Sequence, residues 1–247
     1  MSRLRQLLID DYHRHYALLN LADTPARMKA AHLRQLRRTY GPIVRSLSPG
    51  SRVLDLGCGS GYLLHWLSLE PNVIPVGVDA SASQVAAARQ ALPSLEIHCQ
   101  DGLAFLRAHS GQFSAIFCTD VLEHIEEEDE CLEWLQQAAQ ALQEGGCLLC
   151  RVPNAANLTG AHSRYMDLTH CRSFTSASLL QLFQTAGFDR CAVVPYRAGC
   201  LRGTIRLAVE RSVHRTLFRV CGQPGETIFT STVSSIGYKT TNGRSGN

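Results

Sequence analysis

Val53-Leu-Asp-Leu-Gly-Cys-Gly-Ser-Gly61 decides the fold of this chain. Val53, Leu54 and Leu56 form a short apolar run suited to a strand buried on both faces. Asp55 interrupts that run with a charge. Gly57, Gly59 and Gly61 then alternate through a turn, and Tyr62-Leu-Leu-His-Trp-Leu67 reads as the helix that follows. A tight strand-to-helix turn needs residues that accept positive φ and let a ligand come close to the backbone, and glycine does both. The spacing is not that of a dinucleotide loop, G-x-G-x-x-G, which wraps a pyrophosphate. An acid two residues before the first glycine would repel a phosphate and suit a cationic ligand.

Outward from this stretch the chain alternates strands and helices. Strands are expected over 52–56, 73–79, 95–100, 113–119 and 147–152, with helices over 61–69, 82–92, 103–109 and 129–142 between them. Such alternation predicts a parallel sheet wound on both sides. Glu144-Gly-Gly146 reads as a helix stop. A long non-periodic loop over 153–172 follows, then a capped helix over 174–188 stopped at Gly187, a strand over 190–196 and a last strand over 227–238.

Three further carboxylate-bearing tips follow the glycine turn. Asp79 ends the second strand about twenty residues on, where an acid can accept hydrogen bonds from ribose hydroxyls or cap the helix starting near Ser81. Asp101-Gly102 ends the third strand and can likewise cap the next helix. Phe117-Cys-Thr-Asp-Val-Leu-Glu-His124 ends the fourth. Together these four stretches resemble the motifs of class I S-adenosylmethionine-dependent methyltransferases, over about residues 45–195. The resemblance implies a doubly wound, seven-stranded, mostly parallel α/β sheet of Rossmann-like methyltransferase type. It implies S-adenosylmethionine as cofactor, held by Asp55, Gly57, Cys58, Gly59, Gly61, Asp79, Ala80, Asp101, Gly102, Thr119, Asp120 and Val121. Asp55 would lie near the amino group, Asp101 near the adenine amino group, and Thr119–Val121 beside the methyl.

Two histidines are the candidate general bases, because imidazole titrates near neutrality. His124 follows the fourth motif, and His170 lies in the loop after the fifth strand. Each has a plainer alternative as a loop-bracing residue. Asp167 and His170 offer two metal ligands but no third at convincing spacing, so no metal is expected. The run Tyr165-Met-Asp-Leu-Thr-His170 resembles methyltransferases of bacterial surface-polysaccharide synthesis, which implies a sugar or glycan hydroxyl as acceptor. Another small molecule, such as a quinone precursor, an acid or a natural product, is the alternative, as is a non-catalytic cofactor-binding scaffold.

The 247 residues allow one large domain with additions, divided as N-terminal helices over 1–45, a core over 46–239 and a polar tail over 240–247. Helices are expected over 3–20, with Leu4, Leu7, Leu8, Tyr12, Tyr16 and Leu19 on one face, and from Thr24-Pro25 onward. The segment 197–226, inserted before the last strand, sets apolar residues among Arg202, Arg206, Arg211, Arg215 and Arg219. Such a basic amphipathic segment suits an anionic membrane face over 202–220, a sheet edge, or a second copy of the chain in a homodimer. A formal net charge of +3 does not argue for nucleic acid. Asp120-Val-Leu-Glu also departs from the (Asn/Asp)-Pro-Pro-(aromatic) pattern of many base-flipping amino-methylating enzymes. The ten scattered cysteines read as reduced thiols. With no signal-peptide core at residues 1–11, they place the protein in the cytoplasm, with membrane association as an addition.

Overall fold

A computed structural model describes Leu8 and residues 24–223 and 225–240. The strand β1 (Ser51–Leu56) is the third of seven in the sheet. On one side it pairs with β2 (Val73–Asp79), which pairs with β3 (Glu96–Cys99). On the other it pairs with β4 (Phe113–Thr119), followed by β5 (Leu142–Pro153), β7 (Thr232–Tyr238) and β6 (Arg190–Val193). The order is β3-β2-β1-β4-β5-β7-β6, with β7 antiparallel to both neighbours and the first five strands parallel. The expected doubly wound sheet is therefore present, and the glycine turn lies beside its topological switch point, where such sheets bind ligands.

Both faces are covered. On one, Leu36 and Tyr40 near α1 (Ala30–Thr39) and Val44 of α2 (Gly41–Arg45) pack with Trp66 of α3 (Tyr62–Ser68) and Phe117. The Tyr40, Trp66 and Phe117 rings meet pairwise at centroid distances of 5.8–6.3 Å. The opposite face holds the larger cluster, to which α5 (Gly102–Ala108), α6 (Glu128–Ala141) and α8 (Ser176–Thr185) contribute Phe105, Leu135 and Phe183. The helix α4 (Ala82–Ala91) packs Val85 and Ala88 around Leu64. Side chains of this size bury roughly 1.5–3 kcal/mol each of transfer free energy.

The boundaries differ from the sequence expectation at several points, each with a local cause. Pro25 opens only a 3₁₀ turn, Pro25–Arg27; Met28 turns to ψ 109° and packs on the core before α1 begins. The helix expected over 3–20 lies outside the described residues apart from Leu8, as does the tail from 241 onward. Leu142 passes directly from α6 into β5, pairing with Phe113, so the glycine pair at 145–146 sits in an extended, irregular strand rather than a helix stop. Strand β7 starts at Thr232, not 227. The carbonyls of Ile228 and Thr230 accept from Asn154 Nδ2, and that of Phe229 from Asn157 Nδ2. Those asparagines stand where a neighbouring strand's N–H groups would. The loop after β5 contains a short helix, α7 (Gly160–Tyr165), and the insertion before β7 is one helix of twenty residues, α9 (Leu201–Val220).

Candidate active site

A cavity of about 630 Å³ opens at the C-terminal ends of β1, β2, β4 and β5. At one end lies the glycine turn. Gly57 has φ +78°, and a Cβ there would come within 2.3 Å of Val121 Cγ2, so the first and fourth sequence motifs meet only because Gly57 has no side chain. Gly59, at φ +51°, donates its N–H to Asp79 Oδ2 at 2.9 Å, and Ser81 N–H donates to Oδ1 at 2.8 Å. Asp79 thus fixes the loop before any ligand arrives. Burial raises its pKa, and those two N–H groups hold it down.

Asp55 is 1 % exposed, and among the described residues neither carboxylate oxygen has a hydrogen-bond partner. Burial first, and the Asp79 charge second, push its pKa up to about 7, against the pull of Arg151 and of the Leu64 backbone N–H, which points at the carboxylate without closing a hydrogen bond of normal geometry. An unpartnered buried carboxylate is costly unless a cation joins it. This observation fits a ligand that brings positive charge.

Asp101 caps α5, accepting from Ala104 N–H at 2.8 Å, and also lines the cavity, so the cap leaves it within reach of a ligand there. Gly102 makes room for Trp134: a Cβ there would lie 2.4 Å from the indole. Thr119 ends β4. Asp120 takes φ 58°, a region that costs a non-glycine residue free energy, and Arg151 holds its carboxylate there as an ion pair.

At the other end the Leu122–His124 3₁₀ turn meets the loop before α8. The His124 and His170 rings stand edge to face at 4.7 Å. His170 is buried; its Nδ1 donates to Ser163 O at 2.8 Å. Thr169 Oγ1 donates to Asp167 Oδ1 at 2.6 Å and accepts from His124 Nδ1 at 2.8 Å. Beside them Glu123 is buried, and burial, then the Asp120 charge, raises its pKa. Cys171 N–H donates to Glu123 O at 2.7 Å, and Arg172 Nε to Ile125 O at 3.0 Å, which staples the two segments together.

Of the fourteen residues singled out from the sequence, thirteen line this one cavity. Gly61 does not; at φ +88° it opens α3, and a Cβ there would press on Leu92 and Ala88. Glu123, Trp134 and Arg151 line it and were given no role from the sequence. For Glu123 the signal was present in Asp-x-x-Glu-His. For Trp134 and Arg151, one on an amphipathic helix and one in a strand, the spacing gives none.

This fold with this cavity defines a class I, S-adenosylmethionine-dependent methyltransferase domain. The chain belongs to the methyltransferase domain family, whose profile matches residues 26–192. It is 26 % identical over 140 residues to a Mycolicibacterium smegmatis protein named "Probable S-adenosylmethionine-dependent methyltransferase", covering 57 % of this chain and 52 % of that one. It is 31 % identical over 126 residues to a ubiquinone biosynthesis O-methyltransferase of Dinoroseobacter shibae, covering 49 % of each. The chain thus spans about half the length of these curated relatives. A solved S-adenosylmethionine-dependent methyltransferase from Archaeoglobus fulgidus superposes with TM-score 0.65 at 16 % identity, covering 95 % of this chain and 99 % of that one.

Proposed function

We propose that this domain transfers the methyl group of S-adenosylmethionine to a hydroxyl oxygen of a sugar or glycan. The reading is carried by one cavity that holds an unpartnered buried carboxylate, Asp55, and the paired imidazoles of His124 and His170. The bound cofactor supplies a methyl already activated on a sulfonium. This chain's residues do the rest. Asp55 offers negative charge to the cofactor's cationic end. Gly57 and Gly59 would let the cofactor approach the backbone, Asp79 would accept from its ribose hydroxyls, and Asp101 would accept from its adenine amino group. Thr119, Asp120 and Val121 border the space where the acceptor meets the methyl. The acceptor hydroxyl must lose its proton as its oxygen attacks, and the histidine cluster is the group that takes it.

The sugar acceptor rests on the likeness of the Tyr165–His170 run to polysaccharide methyltransferases. The relatives named for ubiquinone biosynthesis favour a second reading, a phenolic hydroxyl of a quinone precursor. A screen with methyl-labelled cofactor separates the two. Activated sugars, lipid-linked glycans and catechol-type phenols are offered, and the product is read by mass spectrometry. Label on a sugar oxygen is the expected result; label on a phenol, on nitrogen or on carbon, or on none of the acceptors, overturns it. In the same assay His170→Ala should lower turnover at least tenfold with cofactor affinity within threefold.

The acceptor is read as membrane-borne because of α9. Leu201, Ile205, Val209, Val213 and Val220 are all more than half exposed, and Arg202, Arg206, Arg211, Arg215 and Arg219 accompany them. His214 and Glu210 turn the other way, toward Leu158 N–H and Asn157. Among the described residues no helix is long and apolar enough to cross a membrane. The helix is exposed nearly all round, and its apolar and basic residues are less cleanly separated into two faces than the sequence suggested. Exposed apolar residues among basic ones still suit the surface of an anionic bilayer, at about 1 kcal/mol per basic residue near it. The protein should float with vesicles containing phosphatidylglycerol and not with neutral ones, and Arg211→Glu/Arg215→Glu/Arg219→Glu should abolish flotation. A parent protein that stays in the pellet fraction ends this reading.

A further inference from the structure

We propose that Glu123, His124 and His170 form a binding site for a divalent transition-metal cation at the acceptor end of the cavity. The sequence offered Asp167 and His170 without a third ligand. The fold supplies it from elsewhere: one ligand atom each from Glu123, His124 and His170 lies within 4.8 Å of the others, the one such group of three among the described residues. Asp167 is not a ligand. It sits behind the site, holding Thr169 by the backbone N–H at 2.8 Å and the hydroxyl at 2.6 Å.

Three observations point to a cation rather than to a hydrogen-bonded cluster. First, Glu123 is 1 % exposed, lines the cavity, and its Oε2 has no hydrogen-bond partner among the described residues. A neighbouring imidazole N–H would have satisfied it at little cost. Second, the tautomers are set against that. His170 Nδ1 carries its proton toward the Ser163 carbonyl, so its lone pair is on Nε2. Thr169 gives its own hydrogen to Asp167, so His124 Nδ1 must be the donor to Thr169 Oγ1, and its lone pair also falls on Nε2. Imidazoles that bind metals are oriented in this way, with the far nitrogen donating to a carbonyl or to a relay ending in a carboxylate. Third, the segments carrying the ligands are tied by Cys171 N–H to Glu123 O and Arg164 to Cys171 O, so their separation is fixed before a ligand arrives.

Two nitrogens and one oxygen suit zinc, cobalt, manganese or iron(II), whereas calcium and magnesium favour sites built from oxygens. Three protein ligands leave open positions toward the cavity. An acceptor hydroxyl bound there becomes more acidic, as does any hydroxyl on such a cation. The imidazoles then act as ligands in place of bases: the cation makes the bound hydroxyl acidic, and the proton it loses passes to solvent water in the open cavity. That use rests on the methyl-transfer reading; the site itself does not.

The test therefore reads binding of the metal alone. Protein stripped with a chelator is titrated with Co²⁺, followed by visible absorption, and with Zn²⁺ and Mn²⁺ by calorimetry. One ion per chain with micromolar or tighter affinity is expected, together with absorption bands of a nitrogen-ligated site. Glu123→Gln and His170→Ala should each weaken binding at least tenfold. Thr169→Val, which removes the relay that orients His124, should weaken it several-fold, and His98→Ala, at an exposed pair with Glu96, should leave it unchanged. Retained S-adenosylmethionine binding verifies that each variant is folded. Wild-type protein that takes up no stoichiometric ion, or variants that bind as tightly as wild type, overturn the site. Stoichiometric binding beside an acceptor screen that returns nothing upholds the site and removes only the methyl-transfer reading.

Discussion

Asp79→Ala should weaken S-adenosylmethionine binding by at least 100-fold, measured by calorimetry at pH 8. The side chain acts twice. Its carboxylate accepts the Gly59 and Ser81 N–H groups and so shapes the glycine turn, and it is the acceptor assigned to the ribose hydroxyls. A hydrogen bond to a charged group contributes about 1.5–3 kcal/mol, and the variant loses two that hold the turn and those to the ligand. Asp79→Asn keeps one good acceptor and should recover part of the affinity. A loss under tenfold for the alanine variant would show that Asp79 only caps the turn.

Asp55→Asn should have two effects of opposite sign. Asp55 ionises near pH 7 in the folded protein, against an ordinary carboxylate value of 3.8. The folded state therefore holds a proton that the unfolded state releases between those pH values. Ionised Asp55 costs nothing below about pH 4, and the cost grows to about 4 kcal/mol above pH 7. Removing the charge should raise the melting temperature of the cofactor-free protein by several degrees at pH 8, a gain that shrinks steadily toward pH 4. The same change removes the charge proposed above to meet the cationic cofactor. Affinity should fall at least tenfold at pH 8, and the wild type's decline in affinity below pH 7 should flatten in the variant. A variant that loses both stability and affinity would mean that Asp55 has partners in the free protein and is not held for a cation.

The sheet and the glycine-turn end of the cavity were legible because their signals are local. Glycines at 57 and 59, acids at 55, 79 and 101, and strands of β-branched and leucine residues each announce themselves within a few positions. The acceptor end was legible only in part. His124 and His170 were found singly, but their edge-to-face contact across forty-six residues, with Glu123 beside them, follows from how the loop after β5 folds back on the 3₁₀ turn. No spacing rule reports that. Trp134 was hidden for the same reason: it is one of several large residues on an ordinary amphipathic helix, and only Gly102 on α5 opens the space into which its ring fits. The ends of β5 and β7 were misplaced because Leu142 and the asparagines at 154 and 157 satisfy the backbone in ways that residue preference does not record.

Because β7 enters between β5 and β6, neighbours from much earlier in the chain wait for residues 232–238. Until those residues emerge from the ribosome, both edges present unpaired amides, and the nascent chain is most open to aggregation there. Synthesis interrupted after α9 would leave a sticky, unfinished intermediate rather than a smaller working domain.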